Sequence, residues 1–86
     1  MNQQEDKKQF GQIASVRGSV LDVMFTDQLP PIYSLLWAGE ENPVAIEAAT
    51  HIDENHIRCI ALTPTAGLSR GDPVWTEGEP LRAPVG

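Results

Sequence analysis

The chain has 86 residues, with 12 acidic against 6 basic side chains and a formal net charge of −6 at pH 7. This length supports one domain at most, and the acidic balance argues against a nucleic-acid partner, because phosphate neutralisation requires clustered lysines and arginines. The longest apolar stretches are far shorter than the roughly 20 residues of a membrane-spanning helix, so we expect no insertion into a membrane. A single cysteine, Cys59, excludes an internal disulfide, and we expect it to be a small buried hydrophobe.

The N-terminal residues have the weakest tendency to fold. Residues 1–9 are polar and contain no strand pattern, and such a segment buries too little apolar area to offset its ordering entropy. We therefore expect a disordered tail over residues 1–9 and a single domain over residues 10–86. A domain of this size buries only about 60% of its unfolded surface, so its stability is marginal.

Alternating apolar and polar residues predict a hairpin at the start of this domain. Its strands are expected at residues 10–16 and 19–25, and Gly18 supplies the backbone freedom that the reversal needs. In the second strand every other residue is apolar, and these residues share one face: Leu21, Val23 and Phe25. We expect this face to lie in the core.

The rest of the chain continues as short strands separated by polar turns. Two prolines within residues 29–33 exclude a central strand, so this segment is expected to be an extended connection that docks Ile32 and Tyr33 on another surface. Further strands are expected at residues 34–38, 44–51, 56–63, 73–76 and 81–85, with a turn at residues 77–80. Either face of the strand at residues 56–63 could point inward, because apolar residues occur on both.

About six short strands and no convincing helix predict an all-β fold. The regular spacing of the strands is typical of a small closed barrel or a sandwich. Closure removes the free strand edges that a chain rich in Val and Ile would otherwise expose. We therefore expect a small closed six-stranded antiparallel β-barrel.

The sequence contains no recognisable catalytic or nucleotide-binding motif. Neither a Gly-x-x-x-x-Gly-Lys-Ser/Thr phosphate loop nor a Gly-x-Ser-x-Gly elbow is present. The strongest metal candidates cluster about one predicted turn: His51, Asp53, Glu54, His56 and Cys59. Side chains in a solvated turn diverge, whereas zinc requires converging ligands. We therefore expect no catalytic, cofactor-binding or metal-binding residue in this chain.

The aromatic residues could provide a stacking platform for single-stranded nucleic acid, as some barrels do. The candidates are Phe10, Phe25, Tyr33, Trp37 and Trp75. The acidic charge balance disfavours that function. We expect these residues to pack in the core and in interfaces instead.

Five short segments occur in an order that is typical of one protein family. Residues 11–25 combine a Gly-x-Ile start with a Gly-x-Val-x-Asp-Val core, and residues 29–33 read Leu-Pro-Pro-Ile-Tyr. An Ile-Arg-x-Ile-Ala strand at residues 57–61, a Gly-Leu-x-Arg-Gly loop at residues 67–71 and Pro-Val-Gly at residues 84–86 follow. Together these segments resemble the N-terminal β-barrel of the F-type ATP synthase β subunit.

The resemblance implies a structural role without catalytic chemistry. In the family, the phosphate loop and the catalytic groups lie beyond the position of Gly86, so we expect this chain neither to bind nor to hydrolyse ATP. The full-length subunit would use ATP, ADP and Mg²⁺ in a proton- or sodium-translocating ATP synthase. The implied partners are neighbouring α-subunit barrels of an alternating α/β hexamer, in a peripheral head on the cytoplasmic face of a bacterial membrane. The isolated chain is expected to be a monomer or a weak self-associate.

The resemblance also suggests which residues contact neighbouring subunits. The interface candidates are Ile32, Tyr33, Arg58, Leu68 and Arg70, and the structural turn residues are Gly18 and Gly71. Packing of Ile32 and Tyr33 on their own barrel is an equal alternative, and Arg70 is expected to brace its own loop. Two other functions remain open: the matching barrel of a related rotary or secretion ATPase, and a free-standing oligonucleotide- or ligand-binding barrel.

Overall fold

The computed structural model describes residues 9–80, and within that range the chain forms six strands and no helix. The strands are β1 (Gln9–Arg17), β2 (Val20–Phe25), β3 (Ser34–Ala38), β4 (Val44–His51), β5 (His56–Ala61) and β6 (Pro73–Pro80). They close into a barrel in the order β1-β2-β5-β4-β3-β6, and every neighbouring pair is antiparallel. The predicted closed six-stranded antiparallel barrel is confirmed. Over the same residues, no helix is long and apolar enough to cross a membrane.

The strand ends differ from the sequence-based expectation at both ends of the chain. β1 begins at Gln9, which the sequence placed in the tail, and the other residues of that tail lie outside the described range. The predicted turn at residues 77–80 is wrong, because β6 continues to Pro80, which still pairs with Ser34 of β3. An irregularity in the β3–β6 register absorbs the extra residues of β6. The predicted strand at residues 81–85 lies outside the described residues.

The barrel interior is filled by inward-facing side chains from all six strands. The buried apolar residues are Ile13, Leu21, Val23, Phe25, Leu36, Ala38, Val44, Ile46, Ala48, Ile57, Cys59 and Val74. The predicted inward face of β2 is confirmed by its strict alternation of buried and half-buried residues. On β5, where the sequence left both faces open, Ile57 and Cys59 point inward while Ile60 is 38% exposed. The period-2 alternation therefore holds on β5 as well.

The single thiol belongs to this core. Cys59 is fully buried on β5, opposite Leu21 of β2 and Ala48 of β4. Burial, more than the nearby Asp22 carboxylate, raises the pKa of the Cys59 thiol to about 12. Because the thiolate is the reactive form, the thiol stays protonated and inert near neutral pH, as a small buried hydrophobe should.

Candidate functional site

The turn that precedes β3 presents two apolar side chains to solvent. Ile32 is 41% exposed and Tyr33 is 59% exposed. The turn is closed by the Ser34 N–H, which donates to the Pro31 carbonyl at 3.2 Å. Because both side chains keep a large exposed fraction, their own barrel leaves them available for contact with another molecule. We refer to Ile32 and Tyr33 as the apolar tip.

The backbone of the apolar tip is strained. Tyr33 has φ of 76° and is the one non-glycine residue with a positive φ among residues 9–80. This left-handed conformation costs about 1–2 kcal/mol for an L-residue other than glycine. The Tyr33 N–H donates to the Ala48 carbonyl at 2.7 Å, and His51 Nε2 donates to the Pro30 carbonyl at 2.9 Å. These bonds hold the tip against β4. Strain that the surrounding structure enforces at an exposed aromatic residue points to a functional position.

Arg58 lies on the outer wall of the barrel and pairs with another residue of the same wall. It stands directly opposite Asp22 of β2, and its Nε and Nη2 donate to the two carboxylate oxygens at 2.9 and 3.3 Å. Such a two-pronged guanidinium–carboxylate contact is strong for a surface pair. It links β2 to β5 from outside. A subunit-interface role for Arg58 stays a prediction, and its geometry shows a contact within the barrel.

This ion pair makes the stability of the barrel depend on pH. The hydrogen bond from Arg58, followed by its charge, holds the pKa of Asp22 below its usual value. The ionised pair therefore stabilises the fold above the unfolded-state pKa of about 3.9, and this stabilisation is lost as the pH falls through the lower folded-state pKa. Asp22→Asn should lower the free energy of unfolding near neutral pH and weaken its decline in acid.

Urea denaturation at a series of pH values between about 7 and 2 measures this effect. Glu41→Gln is the control, because Glu41 is an exposed loop residue outside the ion pairs of the described chain. The free energy of unfolding of Glu41→Gln should match that of the unmodified chain across this pH series. An unchanged acid limb in Asp22→Asn would show that another carboxylate is responsible.

The loop between β5 and β6 contains the last two interface candidates, which lie in different surroundings. Leu68 packs against the core, and its Cδ2 would lie 3.0 Å from a Cβ added to Gly39. Arg70 is exposed and borders a shallow groove with Gln12 and His56. Gly39 follows the C-terminal end of β3, whereas the apolar tip precedes the N-terminal end of this strand. Leu68 and the apolar tip therefore lie at opposite ends of β3. The five candidates therefore do not form one continuous surface.

The two predicted turn glycines both have positive φ values. Gly18 lies between β1 and β2 with φ of 60°, and Gly71 precedes β6 with φ of 92°. The Gly71 N–H also donates to the Ile13 carbonyl at 2.8 Å, which ties the loop to β1. Left-handed backbone is accessible to glycine at no steric cost, so glycine suits both positions.

The predicted metal candidates do not converge. His56 Nδ1 lies 3.0 Å from Asp53 Oδ1, and the Asp53 carboxylate also accepts the backbone N–H of Asn55. The Asn55 bond, followed by the His56 contact, lowers the pKa of Asp53, which is the behaviour of a turn-forming aspartate. His51 is bonded to a carbonyl elsewhere, and Cys59 faces the core. No group of three or more His, Cys, Asp or Glu residues within the described range could hold a metal ion.

Strand register brings together three of the aromatic residues that the sequence offered as a stacking platform, in an arrangement that the sequence did not specify. On the outer wall, Phe10 of β1 is directly opposite Trp75 of β6, which is directly opposite Trp37 of β3. Phe10 is 68% exposed, and both tryptophans are half-buried. We refer to these three residues as the aromatic ladder. Phe25, by contrast, lies in the core with 1% exposure.

Comparison with known proteins identifies the family. Residues 13–78 match the family model described as the ATP synthase alpha/beta family, beta-barrel domain. The chain is 53% identical over 76 residues to ATP synthase subunit beta 2 of Shewanella frigidimarina, and this alignment covers 88% of the chain and 16% of that relative. It is 48% identical over 86 residues to ATP synthase subunit beta 2 of Chlorobium luteolum, and this alignment covers 100% of the chain and 18% of that relative.

A third relative, ATP synthase subunit beta 2 of Polaromonas naphthalenivorans, is 51% identical over 83 residues, 96% of the chain and 17% of the relative. The chain thus spans less than a fifth of the length of these curated relatives. The aligned relatives are β subunits, in agreement with the segments that suggested this subunit. With the family match over most of the barrel, these similarities show that the chain belongs to the ATP synthase alpha/beta family and represents its N-terminal β-barrel domain.

Proposed function

We propose that this barrel is an assembly domain of an ATP synthase β subunit and holds the crown of an alternating α/β hexamer together during rotary ATP synthesis or hydrolysis. Its partners are the barrels of neighbouring α subunits. The full-length subunit carries out the ATP synthase or ATPase reaction with nucleotide and Mg²⁺ bound outside this chain. The assembly is a peripheral head at the cytoplasmic face of a membrane.

Two physical properties of the domain support this proposal. A closed barrel satisfies the hydrogen bonds of every strand within the sheet, which makes it a stiff element without free edges. Stiffness suits a part that keeps its position while other domains move. The family match and the similarity to β subunits supply the context.

The observation that carries the proposal is the apolar tip. Tyr33 is 59% exposed and held in a strained conformation. The prolines at positions 30 and 31 restrict the chain leading into the tip, so little conformational entropy is lost when it binds. Buried aromatic anchors of this type contribute much of the binding energy in protein interfaces.

Two substitutions of Tyr33 test the proposal. Tyr33→Ala and Tyr33→Gly both remove the phenol ring and should both weaken binding to the α subunit encoded in the same genome by at least about tenfold. Only glycine also relieves the strain at φ of 76°, so Tyr33→Gly should be more stable than Tyr33→Ala by about 1 kcal/mol. Isothermal titration calorimetry measures the affinity, and urea denaturation measures the stability.

The outcomes separate the proposal from its alternatives. Unchanged affinity in both variants would show that the tip is not a subunit contact. Failure of the unmodified chain to bind the α subunit, together with a gel shift of single-stranded oligonucleotide at low salt, would favour the free-standing binding barrel. Comparison of the two variants also separates binding from stability. Both lack the phenol ring, but only Tyr33→Ala keeps the backbone strain, so an equal loss of affinity in both is caused by loss of the ring.

A further inference from the structure

The outer wall of the barrel differs between two opposite sides. On one side the aromatic ladder crosses β1, β6 and β3 in a single row of directly opposed residues. Side chains opposed in this way have Cβ atoms about 4.5–5.5 Å apart, close enough to act as one surface. In the closed order of strands, β2 and β5 lie across the barrel from β3 and β6, and there the wall carries the Asp22–Arg58 ion pair. One side therefore carries a continuous row of aromatic residues, and the other carries an ion pair beside separate apolar residues such as Ile60.

The ladder is continuous with other apolar residues along β3. Leu35 and Trp37 occupy the half-buried outer positions of this strand, while its alternate residues are buried. Tyr33 of the apolar tip lies two residues before Leu35. Half-exposed apolar side chains in such a row are typical of a surface that another protein covers.

The border of the ladder is acidic. Glu47 of β4 is directly opposite Leu35, one position along the wall from the Trp37–Ala45 pair. Exposed Glu40 and Glu41 lie in the loop that follows β3. A second copy of this chain would bring one acidic border against another and would add to the repulsion between two net charges of −6. A partner with basic residues around an apolar centre complements this surface.

We propose that the aromatic ladder is the lateral docking surface for the barrel of an α-type subunit that presents an apolar patch bordered by basic residues. This inference rests on the proposed assembly function and specifies the surface and the chemistry of the partner. Unlike opposite walls suit the contacts of a ring, in which each member meets its two neighbours through different sides. Tryptophan is the residue type most often responsible for large losses of affinity when it is truncated at an interface.

The ladder contains both tryptophans of the chain, so tryptophan signals report on this surface alone. The 86-residue chain is labelled with 5-fluorotryptophan, and ¹⁹F NMR follows its two resonances during titration with the unlabelled α subunit encoded in the same genome. Both resonances should shift on binding and become less accessible to a soluble paramagnetic quencher. The affinity should fall as NaCl is raised, because charges at the border are screened.

Matched variants test the ladder directly. The double variant Trp37→Ala and Trp75→Ala should lose at least about 30-fold in affinity for the α subunit. Ile60→Ala, which truncates an apolar side chain that is 38% exposed on β5, should stay within about twofold because Ile60 lies outside the ladder. Trp37→Gln alone retains Trp75 as a reporter if the double variant does not fold, and it should still weaken binding.

Three other outcomes would reject the ladder, the α-type partner or the proposed function. Binding with unchanged ¹⁹F resonances would reject the ladder as the docking surface and leave the proposed function standing. Dimerisation of the chain alone, with both resonances shifted, would make a second copy the occupant and reject the α-type partner. Absence of binding to the α subunit would reject the proposed function together with this inference.

Discussion

Replacement of Leu21 by aspartate is expected to unfold the barrel at neutral pH. Leu21 is fully buried at the second position of β2, opposite Val16 of β1 and Cys59 of β5. Among the residues whose burial the structure describes, no basic side chain lies in the core. Burying a carboxylate without a partner costs several kcal/mol, on the order of 3–5, a large part of the roughly 5–15 kcal/mol that stabilises a small domain. Circular dichroism should show loss of the strand signal and of the cooperative thermal transition.

Two further variants separate the effect of charge from that of polarity and position. Ile60→Asp places the same carboxylate on the outer wall, where Ile60 is 38% exposed, and it should leave the fold intact. Leu21→Asn introduces polarity without charge and should be destabilised less than Leu21→Asp at neutral pH. Burial raises the pKa of a carboxyl, so acidification should neutralise the introduced aspartate. The difference in free energy of unfolding between Leu21→Asp and Leu21→Asn should therefore become smaller at low pH. Native strand content in Leu21→Asp at pH 7 would show that Leu21 does not face the core.

The strands whose pairing is local were predictable from the sequence, and so was the start of β6, but the C-terminal extent of β6 was not. Period-2 alternation gives the inward face of β2 without reference to the rest of the chain. The alternation of β5 is ambiguous because apolar residues occupy both faces, and only pairing with β2 and β4 fixes Ile57 and Cys59 inside. β6 continues through Gly78 to Pro80 because β3 pairs with it, and this long-range contact overrides the local preference of glycine and proline for a turn.

The candidate site was predictable where it depends on local sequence. The two prolines indicated an extended connection, and Ile32 and Tyr33 lie at its end with exposed side chains. The positive φ of Tyr33 could not be predicted, because glycine is the residue expected there and β4 imposes the conformation through Ala48. The residues of the aromatic ladder were recognised from the sequence, but their alignment in one row could not be predicted. Its three residues are far apart in sequence, and barrel closure alone aligns them.

Adding a side chain at Gly11 is the second change with a large expected effect. Gly11 pairs with Phe25 on β2 and with Val74 on β6, so its position is fixed on both sides. A Cβ there would collide with the Met24 carbonyl oxygen and lie 3.0 and 3.1 Å from two carbons of the Phe25 ring. The carbonyl belongs to the backbone of β2 and cannot rotate away. Gly11→Ala should therefore lower the free energy of unfolding by about 1–3 kcal/mol, and Gly11→Val by more.

Gly18→Asn provides the matched control, because Gly18 has φ of 60° and no atom within 4 Å of an added Cβ, and asparagine tolerates this conformation. Its midpoint in urea should stay close to that of the unmodified chain. Combining Gly11→Ala with Phe25→Leu identifies the obstacle at Gly11. If the Met24 carbonyl is the obstacle, the two destabilisations add and the smaller side chain gives no rescue. If the double variant is as stable as Phe25→Leu alone, the ring alone excludes a side chain at Gly11, and the backbones of β1 and β2 can separate.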